Sequence, residues 1–231
     1  MKPKEFYDKT AEKYDNRHSN YMLKHMRKLE EELIRKYAFG KVLDIGCGTC
    51  PHLNSAAVGL DISLPMLNEA KKKGNRNLVQ GKAEQLPFPD KSFDTILCIF
   101  TVLNLCDIEK TVNEMKRILK KNGRILISVT SVWERGNKQL LSKLFSNAKP
   151  SKKKMRIEGL RLNFHAFTKK EFLDLFTDFK LEYFRGTFIV QNPWWGWHRN
   201  FSLFEKLKLR IDKLQFLNSS ARLYFAVFRE I

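Results

Sequence analysis

The chain has 231 residues, 43% of them hydrophobic, which is ordinary for a globular protein and enough for one good core. Lys and Arg number 43 against 25 Asp and Glu, a formal net charge of +18, and residues 131–231 alone carry 20 basic against 9 acidic side chains. RNA or peripheral contact with an acidic membrane surface is one expectation from this excess, and solubility alone is the other. The longest apolar run, 95–105, is too short to span a bilayer. No apolar stretch follows Met1-Lys2-Pro3-Lys4, so neither a transmembrane segment nor a secretory leader is expected, and the cytoplasm is the expected compartment.

In chain order, 4–15 and 19–37 read as helices, the second with Tyr21, Leu29, Leu33 and Ile34 along one stripe. Residues 41–45 form the first strand, and a short helix over 52–56 leads to a second strand at 57–61. A helix over 66–73 stops at Gly74, where Lys71, Lys72 and Lys73 suit its negative end. Strands follow at 78–81 and 93–100, the latter a continuous apolar run that fits a central strand buried on both faces. A helix over 108–119 ends near Gly123, and 124–130 is a fifth strand. Residues 131–146 read as a helix and 149–154, Lys-Pro-Ser-Lys-Lys-Lys, as a basic linker. Thr168-x-x-Glu171 is a capping box that starts a helix running to about 176. Strand six falls near 181–190 and the last strand at 222–228. Between them lie Trp194, Trp195, Trp197 and His198, then an amphipathic helix with Leu203, Phe204, Leu207, Ile211 and Leu214 on one face. The alternation of helix and strand predicts an α/β fold with a parallel sheet.

The most informative stretch is Val42-Leu43-Asp44-Ile45-Gly46-Cys47-Gly48-Thr49-Cys50, followed by Val58-Gly59-Leu60-Asp61-Ile62. An apolar strand runs into an acid and a Gly-x-Gly turn, and a second apolar strand ends in another acid. Glycines let backbone approach a nucleotide, and the second acid accepts ribose hydroxyls. A dinucleotide site wants a third glycine, where Pro51 stands, and an acid roughly 20 residues on. Asp61 follows Gly46 by only 15 positions. Asp44 would repel a pyrophosphate and attract an ammonium group. An NAD-dependent dehydrogenase is therefore disfavoured. Cys47 and Cys50 form a C-x-x-C, yet no second cysteine or histidine pair stands at a spacing that would complete a zinc site. No metal is expected.

With these residues in view, the chain resembles the class I S-adenosylmethionine (SAM)-dependent methyltransferases, in particular their ubiquinone-biosynthesis-like branch. The likeness runs in order from Phe6-Tyr7-Asp8-Lys9-Thr10-Ala11-Glu12-Lys13-Tyr14-Asp15 through Asp44-x-Gly46-x-Gly48 and Asp61-Ile62-Ser63-x-x-Met66-Leu67. It continues with Gly81-x-Ala83-Glu84-x-Leu86-Pro87-Phe88, Phe93-Asp94 and Met115-x-Arg117-Ile118-Leu119-Lys120-Lys121-Asn122-Gly123. The resemblance implies a Rossmann-like, seven-stranded, mostly parallel sheet with helices on both faces and one reversed strand near an edge. It implies one domain over 1–231: a helical cap (1–37), a SAM-binding core (38–130), substrate-side insertions with strand six (131–220) and the last strand (221–231). Asp44 is then assigned to the methionine end of SAM, Gly46, Cys47 and Gly48 to the cradle, and Asp61 and Ile62 to the ribose. Ala83 and Glu84 are assigned to the adenine, and Phe100 to the end of strand four. The product would be S-adenosylhomocysteine (SAH).

Methyl transfer from a sulfonium is an in-line displacement, so placement of the nucleophile supplies much of the rate, and a base is needed only when a proton must leave. His165 and Tyr14 are the candidate bases, with His198 a weaker one. The Asp/Asn-Pro-Pro-Tyr box that family members acting on planar amino groups carry after strand four is absent. The expected acceptor is a small molecule or lipid-linked metabolite. A tRNA base methyltransferase and a SAM-binding protein without catalysis are the alternatives.

Overall fold

A computed structural model describes residues 2–16, 21–50, 57–100, 102–132, 151–157, 160–187 and 221–231. The N-terminus forms α1 (Pro3–Thr10), a 3-10 turn (Ala11–Lys13) and α2 (Tyr21–Tyr37). Then come β1 (Val42–Ile45), β2 (Val58–Asp61), α3 (Leu64–Lys72), β3 (Leu78–Gln80), β4 (Phe93–Cys98), α4 (Val102–Leu105), α5 (Ile108–Ile118) and β5 (Leu119–Thr130). A hairpin of β6 (Ser151–Ile157) and β7 (Leu160–Ala166) precedes α6 (Lys169–Asp174), β8 (Phe179–Thr187) and β9 (Leu223–Glu230).

Seven strands form one sheet in the order β3-β2-β1-β4-β5-β9-β8. The first four pairings are parallel, and β9 runs antiparallel to both neighbours, so it is the reversed strand near the edge. Alternation along β9 shows the layering. Tyr224, Ala226 and Phe228 pack with Val112, Met115 and Ile118 of α5 and with Phe172 of α6, whereas Leu223 and Phe225 meet Met26, Leu29 and Leu33 of α2. Helices thus cover both faces, each buried through one apolar stripe. Local chemistry sets their starts. Ser63 caps α3 by accepting from Met66 N–H, Asp107 caps α5 through Lys110 N–H, and the Thr168–Glu171 box caps α6.

The structure departs from the sequence reading in four places. The basic stretch expected to be a linker is in part strand β6, paired in antiparallel register with β7 from Ser151↔Ala166 to Ile157↔Leu160. Pairing with a strand whose Leu162, Phe164 and Ala166 are buried supplies the order that composition alone did not announce. Helix α5 ends at Ile118, within one residue of the expected 119, but β5 starts at once with Leu119, paired to Phe93, rather than at Arg124. Strand β4 ends at Cys98 rather than at Phe100, which has φ +49° and turns the chain into α4, a helix the sequence did not suggest. Helix α6 ends at Asp174. The expected helix over 52–56, the remainder of 131–146 beyond Val132, the tryptophan cluster with His198, and the amphipathic helix after it all lie outside the described residues. Among the described residues, no helix is long and apolar enough to cross a membrane.

Candidate active site

At the carboxyl ends of β1, β2 and β4 the structure holds a cavity of about 690 Å³. Open α/β sheets bind ligands in this crevice, where the strand order reverses. Its walls bring together Tyr14, Gly46, Gly48, Asp61, Ile62, Ala83, Glu84 and Phe100, residues spread over more than a third of the chain. Val102, Leu105 and Cys106 add an apolar side, and Lys2, Lys4 and Tyr7 of the N-terminal segment close over part of it.

Asp61 is the polar centre. It is 7% exposed, and each carboxylate oxygen takes one backbone donor, Gly48 N–H at 2.9 Å and Ser63 N–H at 2.8 Å. Burial pushes its carboxyl above the ordinary aspartate value; the donors of Ser63 and Gly48 pull the other way, and the nearby charge of Asp8 raises it further. Each oxygen keeps acceptor capacity toward the cavity, because a carboxylate has about four lone-pair sites.

The glycine turn is tied to β2. Gly46 N–H and Cys47 N–H both donate to Leu60 O, at 2.7 and 3.0 Å, and Gly48 N–H goes to Asp61. These donors are spent inside the protein, so the turn offers no ready nest for a pyrophosphate. The glycines supply room and backbone freedom instead. Both have positive φ, and a Cβ on Gly48 would meet open space.

Three expected residues, Asp44, Cys47 and His165, stand off the cavity wall. Asp44 is 3% exposed, inside the sheet between Gly59 of β2 and Leu97 of β4. Cys47 packs with Cys50, Leu67 and Ala70, and its thiol is held strongly protonated by its hydrogen bond with Cys50, by burial and by the charges of Asp44 and Asp61. Both cysteines are free thiols. His165 lies on β7, also away from the cavity wall, with its Nε2 2.7 Å from Glu171. Tyr14 alone of the two base candidates borders the cavity.

Sequence reasoning missed how the N-terminal segment is fastened. The Ser63 hydroxyl donates to Asp8 at 2.7 Å, the Thr49 hydroxyl donates to Asp15 at 2.8 Å, and Lys73 pairs with Asp15. Ser63 and Thr49 therefore belong to the same two turns that hold Asp61. The carboxyls lay inside a quoted motif, but nothing local says which partners they reach. A second network holds the loop carrying Ala83 and Glu84. Arg117 of α5 donates to Leu86 O and Phe88 O and is forked onto Glu114, which accepts Leu86 N–H at 2.6 Å.

Residues 43–127, which include the glycine turn, Asp61 and the Ala83–Glu84 loop, match the methyltransferase-domain family profile. An uncharacterized protein of Methanocaldococcus jannaschii is 36% identical over 206 residues, 82% of this chain and 81% of that one. The chain belongs to the class I SAM-dependent methyltransferases. Its donor is SAM. A demethylmenaquinone methyltransferase of Thermotoga maritima is 38% identical over 135 residues, and this methyltransferase spans only 58% of its length. In fold the enzyme is similar to a SAM-dependent methyltransferase of Thermotoga maritima, with a TM-score of 0.60 at 20% identity over 97% of this chain and 98% of that one. It is also similar to a Haloferax volcanii chain solved in complex with the Trm112 methyltransferase activator, with a TM-score of 0.65 at 14% identity, covering 98% and 96%. The site suits the donor. The buried Asp61 fits a ribose diol, the cavity volume falls in the range of small-molecule sites, and an inward-turned glycine backbone fits a ligand without phosphates.

Proposed function

We propose that this enzyme methylates a small or lipid-linked acceptor within the cavity, in one domain whose N-terminal segment serves as its cap. Asp61 and Ile62 hold the ribose, Ala83 and Glu84 flank the adenine, and Gly46 and Gly48 give the donor close passage over β1. Asp44 acts from beneath the turn as a fixed negative charge for the ammonium group, and Cys47 acts only as packing beneath that turn. SAM supplies an electrophilic methyl group on a sulfonium. The chain's part is to orient the partners, exclude water under the α1 segment and, for an acceptor that must lose a proton, take it at Tyr14. His165, committed to Glu171, is left to hold the hairpin.

The observation that carries this reading is Asp61, buried yet bordering the cavity with both oxygens already aligned by Gly48 and Ser63. The similarity to a demethylmenaquinone methyltransferase and the apolar side of the cavity support a lipid-like acceptor. Asp61→Asn is expected to weaken SAM binding about 10-fold to 100-fold, since hydrogen bonds to a charged group are worth about 1.5–3 kcal/mol. Calorimetric titration measures this, and unchanged affinity would remove Asp61 from the ribose site. The acceptor is tested by labelled-methyl transfer from SAM into separated RNA, lipid, protein and metabolite pools. Salt-sensitive label in RNA would replace the small-molecule reading by the RNA one.

A further inference from the structure

Between β4 and α4 the chain turns at Phe100, whose φ of +49° lies in the left-handed region that a bulky side chain rarely adopts. Such a conformation persists only where its surroundings over-determine it, and it clusters at functional sites. Here two restraints are visible. Phe100 N–H donates to Ser128 Oγ at 2.7 Å, and its side chain packs against the cluster of Met26, Leu29, Leu33 and Phe225. Val102, two residues on, lies so close to the glycine turn that a Cβ on Gly46 would stand 2.2 Å from its Cγ2. Ser128 itself is 1% exposed on β5 and does not border the cavity, so its hydroxyl reaches the site only through Phe100.

Topology says which part of the donor meets Phe100. Asp61 ends β2, and the Ala83–Glu84 loop follows β3, so the placement proposed above puts ribose and adenine on that side of the cavity. Phe100 follows β4, on the far side of β1. A donor laid from β3 toward β4 brings its sulfonium to Phe100. SAM and SAH differ there by one methyl group and one positive charge, and an aromatic ring favours the cation.

We propose that Ser128 is a positioning residue that holds Phe100 against the sulfonium, so that the pair sets the preference for SAM over SAH. This rests on the cofactor placement given above. The test compares calorimetric titrations of SAM and SAH into the full chain, which requires no knowledge of the acceptor. Phe100→Leu is expected to lower SAM affinity about 3-fold to 30-fold, with SAH affinity changed less than about 2-fold. Ser128→Ala lowers it in the same direction, and Ser128→Thr, which keeps the hydroxyl, restores the preference. Phe100→Gly removes the ring but reaches positive φ unaided, so adding Ser128→Ala to it leaves the SAM-to-SAH ratio where Phe100→Gly put it. Thermal melting checks that each variant folds. Equal weakening of SAM and SAH by Ser128→Ala, or no change in either, would overturn the proposal. SAM binding that is unchanged by Asp61→Asn but still weakened by Phe100→Leu would instead overturn the ribose placement.

Discussion

At Gly46 two constraints coincide: φ is +71°, and an added Cβ would collide with Val102, a β-branched residue with little freedom to move aside. Gly46→Ala is therefore expected to destabilise the fold by about 2–4 kcal/mol, the left-handed cost and the overpacking cost together. Adding Val102→Ala should recover only the packing part, as urea denaturation of the three variants would show; full recovery would mean that the backbone angle costs nothing. Gly48 differs. It shares the positive φ, but its missing Cβ leaves space in the cavity rather than room for a neighbour. The sequence showed both glycines and gave them one role. Their different neighbours, Val102 and open cavity, separate the roles.

Among the elements, the hairpin and α4 depend on one buried amide. Asn104, 2% exposed, donates to Thr130 O at 3.0 Å and to His165 O at 2.6 Å, and its Oδ1 accepts Thr130 N–H at 3.0 Å. It joins α4, the end of β5 and β7, three elements that sequence patterns place separately. Asn104→Ala strands these backbone groups and is expected to cost about 2–3 kcal/mol. For a chain of this size that is a fall of roughly 4–12 °C in melting temperature. Asn104→Asp should fare no better, because a carboxylate cannot donate to both carbonyls. A variant melting with the wild type would show that water replaces the amide. The strands and long helices were legible because burial imposes period two or an apolar stripe on them. The short helix α4 was not, since four residues carry no period, and β6 was hidden because lysines disguise a strand whose order comes from its partner.

For the whole molecule, acidification is expected to act on Asp61 and on the fastening of the N-terminal segment, the proposed cap, at different pH. Asp61 has a carboxyl raised above the ordinary 3.8 by burial, so it gains its proton early as pH falls, and with it loses the charge proposed above to hold the ribose. Asp8 and Asp15 lie on the other side. Burial works against their charge, but hydrogen bonds from Lys4 and Ser63, and from Lys73 and Thr49, outweigh it and hold both below 3.8. Their contribution to the docked cap is complete above the unfolded value and disappears only as pH falls through the lowered ones. SAM affinity should therefore decline at a higher pH than protection of the amides of residues 3–13. Titrations with SAM and hydrogen exchange, both run down in pH, test the order; loss of cap protection first would contradict it.

The sequence by itself determined the succession of the seven strands of the main sheet, the Gly-x-Gly turn with Asp61 beyond it, and hence the donor, because these are written in local periodicity, turn chemistry and short spacings. Only the tertiary structure decided that the glycine N–H groups point inward, that Asp8 and Asp15 fasten the cap to Ser63 and Thr49, and that Ser128 reaches the cavity through Phe100. Each of these is a meeting of residues whose partner is set by strand register and packing across the fold. A local pattern states what a residue can do, and the folded neighbours state to whom it does it.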